Sequence, residues 1–195
     1  MERVEKMICH QDNFVSDTLF TNLNKQMLQR FNPTLSFKKG DLRQYNDAAT
    51  RLFVSAKDDG YKEAKILLGD MVPDIILKIK DFLLEKAGCV NPVANNVWFQ
   101  YQTDKQKVGK HKDNGYLSNR RPHQCFSSFL YAHDVWNDDW GGEICFNTQE
   151  LLPKSNRLVV YSRDEEHWVN NIKHNNPDYL RMFLGVDWST DNDFQ

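Results

Sequence analysis

No Cys-x-x-Cys pair occurs in this chain of 195 residues; its four cysteines, Cys9, Cys89, Cys125 and Cys145, stand far apart. Without that spacing they read as reduced, mostly buried thiols of a cytosolic protein. No apolar run approaches membrane-spanning length, and the richest stretch, Ile75 to Leu84, is broken by two lysines and an aspartate. The opening residues, Met1-Glu2-Arg3-Val4-Glu5-Lys6, are charged and carry no apolar core of a signal peptide. Nor is there an excess of charge of one sign: the net charge is −2. That argues against a dedicated nucleic-acid binder with a global basic field. Internal repeats, low-complexity segments and interdomain linkers are also missing. A cytoplasmic protein with no membrane partner is expected.

What is present is ordinary for a globular protein, with 40% hydrophobic and 27% charged residues. At this length roughly 70% of the unfolded chain's surface can be buried, so one domain over residues 1–195 can build its own core. The first 90 residues read as helical support with a short strand. Ser16 or Asp17 can cap a helix carrying Phe20, Leu23, Met27 and Phe31 at helical spacing. Arg51 to Ala56 reads as a strand. A second helix is predicted from about Pro73 to Lys86, after a looser helical turn from Tyr61, with Gly88 as its stop. From residue 91 to 190 the pattern changes to short strands. These are Val97 to Gln102, Cys125 to Ala132, Gly142 to Phe146, Arg157 to Ser162 and Tyr179 to Asp187. Trp140-Gly141-Gly142-Glu143 marks a turn that needs glycine's backbone freedom. Helices first and many strands after predict an α+β fold, or a sandwich or barrel flanked by helices.

Two His-x-Asp pairs stand in the sequence, and about one His-x-acid pair is expected by chance at this composition. His10-Gln11-Asp12 lies in the N-terminal tail with no strand pattern before it. His111-Lys112-Asp113 follows the strand-like run from Val97, whose Val97, Phe99 and Tyr101 share one face. On a strand, residues two apart point the same way. A third ligand from a distant strand, with His167 as the candidate, completes a 2-His-1-carboxylate set. Such a set holds Fe(II) on one face and leaves positions open for a co-substrate and O2. Taken alone, the same residues also read as a solvent-facing pair and a surface histidine beside Glu165 and Glu166.

The flanking segments give that set a context. In order come the strand with Tyr101, Gly109-Lys110-His111-Lys112-Asp113, the strand ending in Leu130-Tyr131, and Trp140-Gly141-Gly142-Glu143-Ile144-Cys145-Phe146. Then come Pro153 to Tyr161, His167-Trp168-Val169, and Arg181 on a last strand ending at Trp188. From Val97 to Trp188 the chain resembles the Fe(II)/2-oxoglutarate-dependent dioxygenases, most of all their prolyl 4-hydroxylase-like branch. The resemblance implies a double-stranded β-helix, or jelly-roll, with N-terminal supporting helices, its core over residues 91–190. It makes His111, Asp113 and His167 the ligands of Fe(II), with 2-oxoglutarate as co-substrate and ascorbate as a further candidate. Asp113 favours hydroxylation, since halogenating relatives leave that ligand position open for chloride.

Arg181 is the candidate anchor for the distal carboxylate of 2-oxoglutarate, because a guanidinium fork matches a carboxylate. Here the chain departs from the family, whose basic residue follows the distal histidine by about ten positions. Arg181 follows His167 by fourteen, across a longer loop, and Lys173 is the alternative. Tyr101 and Tyr131 map to positions that contact the co-substrate in relatives, with Ser127 a minor contributor. Trp136, Trp140, Trp168 and Trp188 are read as packing; His123, His133 and His174 as solvated. The basic stretch Lys105 to Arg121 is read as a solvated loop near the site mouth. The branch implies a peptidyl proline or another protein side chain as substrate. Alternatives are a nucleobase, with nucleic acid the weaker partner, a small molecule, or a non-catalytic cupin-like metal-binding protein.

Overall fold

Residues 7–30, 42–45, 49–55, 69–105, 107–113, 124–176 and 178–190 are described by the computed structural model. Among the described residues, two helices precede most of the strands. α1 (Asp17–Arg30) is capped by Ser16, whose Oγ accepts from the Leu19 amide at 3.4 Å. Its buried Leu23 and Met27 stand one turn apart on the face turned to the core. α2 (Val72–Lys86) has Pro73 in its first turn and buries Val72, Ile75, Ile76, Ile79, Phe82 and Leu83. Gly88 takes φ +56°, and the Cys89 amide folds back to the Leu83 carbonyl at 3.3 Å, which ends the helix.

The strands are β1 (Ile8–Gln11), β2 (Leu42–Tyr45), β3 (Ala49–Ser55), β4 (Pro92–Gln102), β5 (Val108–His111) and β6 (Gln124–Tyr131). They continue with β7 (Ile144–Phe146), β8 (Glu150–Leu151), β9 (Leu158–Ser162), β10 (His167–Val169) and β11 (Arg181–Thr190). Seven form one antiparallel sheet in the order β1-β9-β6-β11-β4-β3-β2, and four form a second, β5-β10-β7-β8. This is the jelly-roll that the order of segments implied. The helices cover one face of the larger sheet, where Leu23, Met27, Ile75 and Ile79 pack with Val97, Phe99, Leu184 and Val186. The smaller sheet covers the other face, where Ile144, Phe146 and Leu151 meet Trp98, Tyr131, Tyr161 and Phe183. The gap between the sheets is where the site lies.

Several expectations are corrected. The segment with His10 is a strand, β1, paired along β9 from Ile8↔Tyr161 to Gln11↔Leu158. Four residues on the sheet edge were too few to show a period. The strand expected at Arg51 begins at Ala49, and the final strand begins at Arg181 and runs on to Thr190. Phe31, Ala56, the turn from Tyr61 and His123 lie outside the described residues. No helix among the described residues is long and apolar enough to cross a membrane.

His133 is not solvated: it is 3% exposed. Its Nε2 meets the Pro153 carbonyl, and its Nδ1 accepts from the Met182 amide at 3.3 Å. These partners fix the neutral tautomer that donates from Nε2. Burial, together with the Arg181 charge, pushes its pKa down from 6.5 to about 4. Unfolding restores the ordinary value, so between these two limits the unfolded chain holds a proton that the folded chain refuses. The group's contribution is therefore fully present above pH 6.5 and is lost as pH falls toward 4. A shift of this size corresponds to about 3 kcal/mol. Urea midpoints should fall between about pH 7 and pH 5, and His133→Gln should flatten that decline; an unchanged pH slope in the variant would show that His133 is not its source.

Candidate active site

His111 ends β5 and His167 opens β10, and the two are register partners. Directly opposed residues on paired strands share a face. Their rings lie 4.3 Å apart between centroids. Each ring is oriented by a backbone carbonyl two residues earlier: His111 Nδ1 to Gly109 O at 2.8 Å and His167 Nδ1 to Glu165 O at 3.0 Å. With Nδ1 donating, each Nε2 is turned toward Asp113, and His167 Nε2 also lies 3.3 Å from Tyr161 Oη.

Asp113 reaches the same point by a different route from the one expected. It lies beyond the end of β5, so strand alternation does not place it. A polar cradle does. Its Oδ2 accepts from Ser127 Oγ and Tyr161 Oη, each at 2.9 Å, and Arg163 Nη2 donates to its carbonyl at 3.1 Å. That leaves Oδ1 facing His111 Nε2 at 3.6 Å and His167 Nε2 at 3.8 Å. Two ligand atoms each about 2.1 Å from one ion are at most about 4.2 Å apart, so these distances fit a single metal ion. Burial pushes the Asp113 carboxyl up, but the His111 hydrogen bond and the His167 and Arg163 charges outweigh it. The carboxyl is held well below its usual range. Burial pushes His167 down, against the Asp113 charge, in the direction of the neutral ring. An anionic carboxylate and two neutral imidazoles are the protonation states a metal needs. Side-chain exposure falls from 35% at His111 through 21% at Asp113 to 4% at His167, so the group opens on the His111 side.

Among the described residues this is the group of three His, Cys, Asp or Glu side chains placed to hold an ion. His10 and Asp12 do not join it. Asp12 is occupied on the sheet edge by the Arg157 guanidinium, whose Nη2 donates to Oδ2 at 2.8 Å.

Arg181 lies at the far end of the same cavity. It is 1% exposed, and all the hydrogen-bond partners of its guanidinium among the described residues are neutral. Nε donates to Gly142 O and Nη2 to Tyr131 Oη, both at 2.8 Å, and Nη1 to Gln102 Oε1. A buried cation with no counter-charge is costly and offers a place for an anion. The second arginine of the cavity is different, because Arg163 is matched by Asp187. The glycine turn serves the first of these: Gly142 stands at φ +76°, and a Cβ there would come within 3.3 Å of Arg181 Cδ. Lys173, the alternative anchor, is exposed.

Tyr131 stands at the Arg181 guanidinium. Tyr101 does not. It is the register partner of Met182, which alternates with Arg181 and faces the helices. Its hydroxyl donates to the Met27 carbonyl of α1 at 2.8 Å. Period-2 reasoning had already put Tyr101 with Val97 and Phe99; the consequence is that Trp98 and Gln100 face the cavity instead. The cavity holds about 110 Å³, lined by residues including Trp98, Gln100, Tyr161, Arg163, Arg181 and Asp187. Tyr161, Arg163 and Asp187 had escaped the sequence reading; only the alternation of β9 and β11 signalled the first and last. Ser127, expected as a minor contributor beside Tyr131, instead donates to Asp113 Oδ2 at 2.9 Å. Trp188 is core and donates to Ser128 Oγ at 2.8 Å. Trp136, Trp140 and His174 pack together behind the glycine turn, so His174 is part of an aromatic cluster. Lys110, in the basic stretch, is paired with Glu166.

A family model described as the 2OG-Fe(II) oxygenase superfamily matches residues 97–183. The match spans 87 of the 195 residues, so that part of the chain is similar to this superfamily. The chain is similar to the viral collagen prolyl hydroxylase of Paramecium bursaria Chlorella virus-1, with a TM-score of 0.67 and 14% identity over 95% of this chain and 97% of that one. It is also similar to a Trichoplax adhaerens prolyl hydroxylase solved with a hypoxia inducible factor peptide, with a TM-score of 0.61 and 17% identity over 94% and 84%. A Pseudomonas putida prolyl-4-hydroxylase gives a TM-score of 0.59 and 15% identity over 96% and 95%. At such identities the likeness is one of fold. No curated protein matches the chain in sequence.

Outer partners of metal ligands typically change metal affinity by about 10- to 100-fold. Tyr161→Phe should weaken Mn(II) binding by that order in titration calorimetry, with Tyr101→Phe unaffected. Equal metal affinity in the Tyr161 variant and the unaltered protein would remove Tyr161 from the site.

Proposed function

We propose that the protein is an Fe(II)- and 2-oxoglutarate-dependent hydroxylase acting on a protein side chain, most of all a peptidyl proline. The observation that carries this reading is one cavity with two unlike ends. At one end stand His111, Asp113 and His167, which would hold Fe(II); at the other is the buried, unmatched Arg181, which would hold the distal carboxylate of 2-oxoglutarate with Tyr131. The bound pair would supply the oxidising chemistry, one oxygen atom of O2 passing to a substrate C–H bond and the other to succinate as CO2 leaves. The chain's own residues orient and protect. Ser127 and Tyr161 fix which Asp113 oxygen faces the ion, and the aromatic walls keep water out.

The size of the cavity bears on the substrate. At about 110 Å³ it is well below the roughly 300 Å³ at which drug-sized sites begin. A co-substrate fills it, so the target group must be presented at the mouth beside His111. A side chain projecting from a peptide meets that demand. The named activities of the similar structures, prolyl hydroxylases, support the same class. The exposed Lys105, Lys107 and Lys112 favour an anionic partner, and they carry the nucleic-acid alternative.

Hydrogen bonds to charged groups contribute roughly 1.5–3 kcal/mol, so Arg181→Ala should weaken 2-oxoglutarate binding by about 10- to 150-fold and leave metal binding intact. Lys173→Ala should be neutral, and a larger loss in that variant would move the anchor to Lys173. Proline-rich peptides incubated with the iron-loaded protein and 2-oxoglutarate should gain one oxygen, with succinate in step. Oxidised bases in single-stranded DNA or RNA, suppressed by salt and without peptide product, would transfer the activity to nucleic acid.

A further inference from the structure

The floor of the cavity is a ladder of cross-strand rungs along β11. Arg181 stands opposite Gln102, Phe183 opposite Gln100 and Tyr131, Gly185 opposite Trp98 and Phe129, and Asp187 opposite Asn96 and Ser127. The first rung is the anion end, and the last touches Asp113 through Ser127. The third rung therefore lies between the two ends, one step from the last, and it is the one whose central residue has no side chain. The Trp98 indole occupies that space. A Cβ on Gly185 would stand 2.3 Å from Trp98 Cε2 and 2.5 Å from Cζ2. The indole is pinned there, with Nε1 donating to Gln100 Oε1 at 3.2 Å and its ring edge-on to Phe129 at 6.2 Å.

We infer that Trp98, laid over Gly185, determines which 2-oxo acid the cavity accepts, by limiting the space between Arg181 and the metal ligands to that of a five-carbon diacid. The inference rests on the reading of the site given above. A rigid ring does this better than a flexible chain, because two fixed contacts and a close-packed glycine leave it nowhere to retreat. A methylene too many in such a space costs about 10- to 200-fold in selection.

The test is calorimetric binding of 2-oxoglutarate and six-carbon 2-oxoadipate to the Mn(II)-loaded protein, with thermal melts to confirm folding. The unaltered protein should prefer 2-oxoglutarate by about 10- to 200-fold. Trp98→Ala should bring the two acids within a few-fold of each other, and Trp98→Phe should fall between. Gly185→Ala should push the indole into the cavity and weaken both acids, and pairing it with Trp98→Phe should restore 2-oxoglutarate. That rescue is something a general loss of stability would not give. Should Trp98→Ala fail to fold, Trp98→Phe and the Gly185 pair carry the test. Unchanged preference in the Trp98 variants, or no preference in the unaltered protein, overturns the role of Trp98. Absence of any 2-oxoglutarate binding by the unaltered, metal-loaded protein overturns the reading of the site itself.

Discussion

A one-residue slip of β11 against its neighbours would carry Arg181, Phe183 and Asp187 out of the cavity and put Met182, Leu184 and Val186 in their place. The strand period of two makes that exchange complete, with no intermediate arrangement. The register is held by ten paired positions on β4, from Arg181↔Gln102 to Thr190↔Pro92, and by seven on β6. It is held by chemistry as well. On the helix side a slip would bury a guanidinium among Leu23, Met27 and Phe99, where nothing satisfies it. The same alternation that builds the core therefore also aims Arg181 into the cavity.

The arginines that line the cavity, Arg163 and Arg181, show how it uses charge in two ways. Arg163 meets Asp187, and the pair is tied to Ser127 and the Asp113 carbonyl. Burial pushes the Asp187 carboxyl up, against the Arg163 charge, so this pair is a costly arrangement. What it supports is the position of Asp113, whose Oδ2 the same Ser127 holds. Arg181 has the opposite treatment: three neutral acceptors hold the fork in shape while its charge stays unspent among the described residues. One arginine fixes Asp113; the other carries a charge that no acidic side chain matches among the described residues.

Much of this was legible in the sequence because it is local. The helix stripes, the Ser16 cap, the glycine turn and the alternation of β4 and β6 follow from neighbours a few residues apart. The grouping of His111, Asp113 and His167 was legible as residues, but strand alternation does not place Asp113, which is held by side chains from β6 and β9 and not by its own strand. Tyr101 failed for a related reason. Matching a family position says which residue type stands near a site, whereas the face is decided by register against Met182. His133 was misread because a histidine at a strand end has no local mark of burial. Its partners, Pro153 and Met182, are 20 and 49 residues away. Nothing short of the tertiary pairing reveals that both of its nitrogens are satisfied.

The larger sheet thus divides its labour between faces. The cavity face carries Gln100, Gln102, Ser127, Arg181 and Asp187, buried polar groups that add little net stability even when each is hydrogen-bonded. The opposite face is almost wholly apolar and lies under α1 and α2, where burial of each large side chain contributes about 1.5–3 kcal/mol. Asn24, which donates to the Ala132 carbonyl at 2.8 Å, and Tyr101, bonded to Met27, tie α1 to that face. The N-terminal helices, which lie on the face away from His111, Asp113 and His167, are what allow the other face to hold charges and a cavity at all. A change that loosens α1 or α2 should therefore affect the site through the shared strands, since β4 and β11 are the floor of one face and the ceiling of the other.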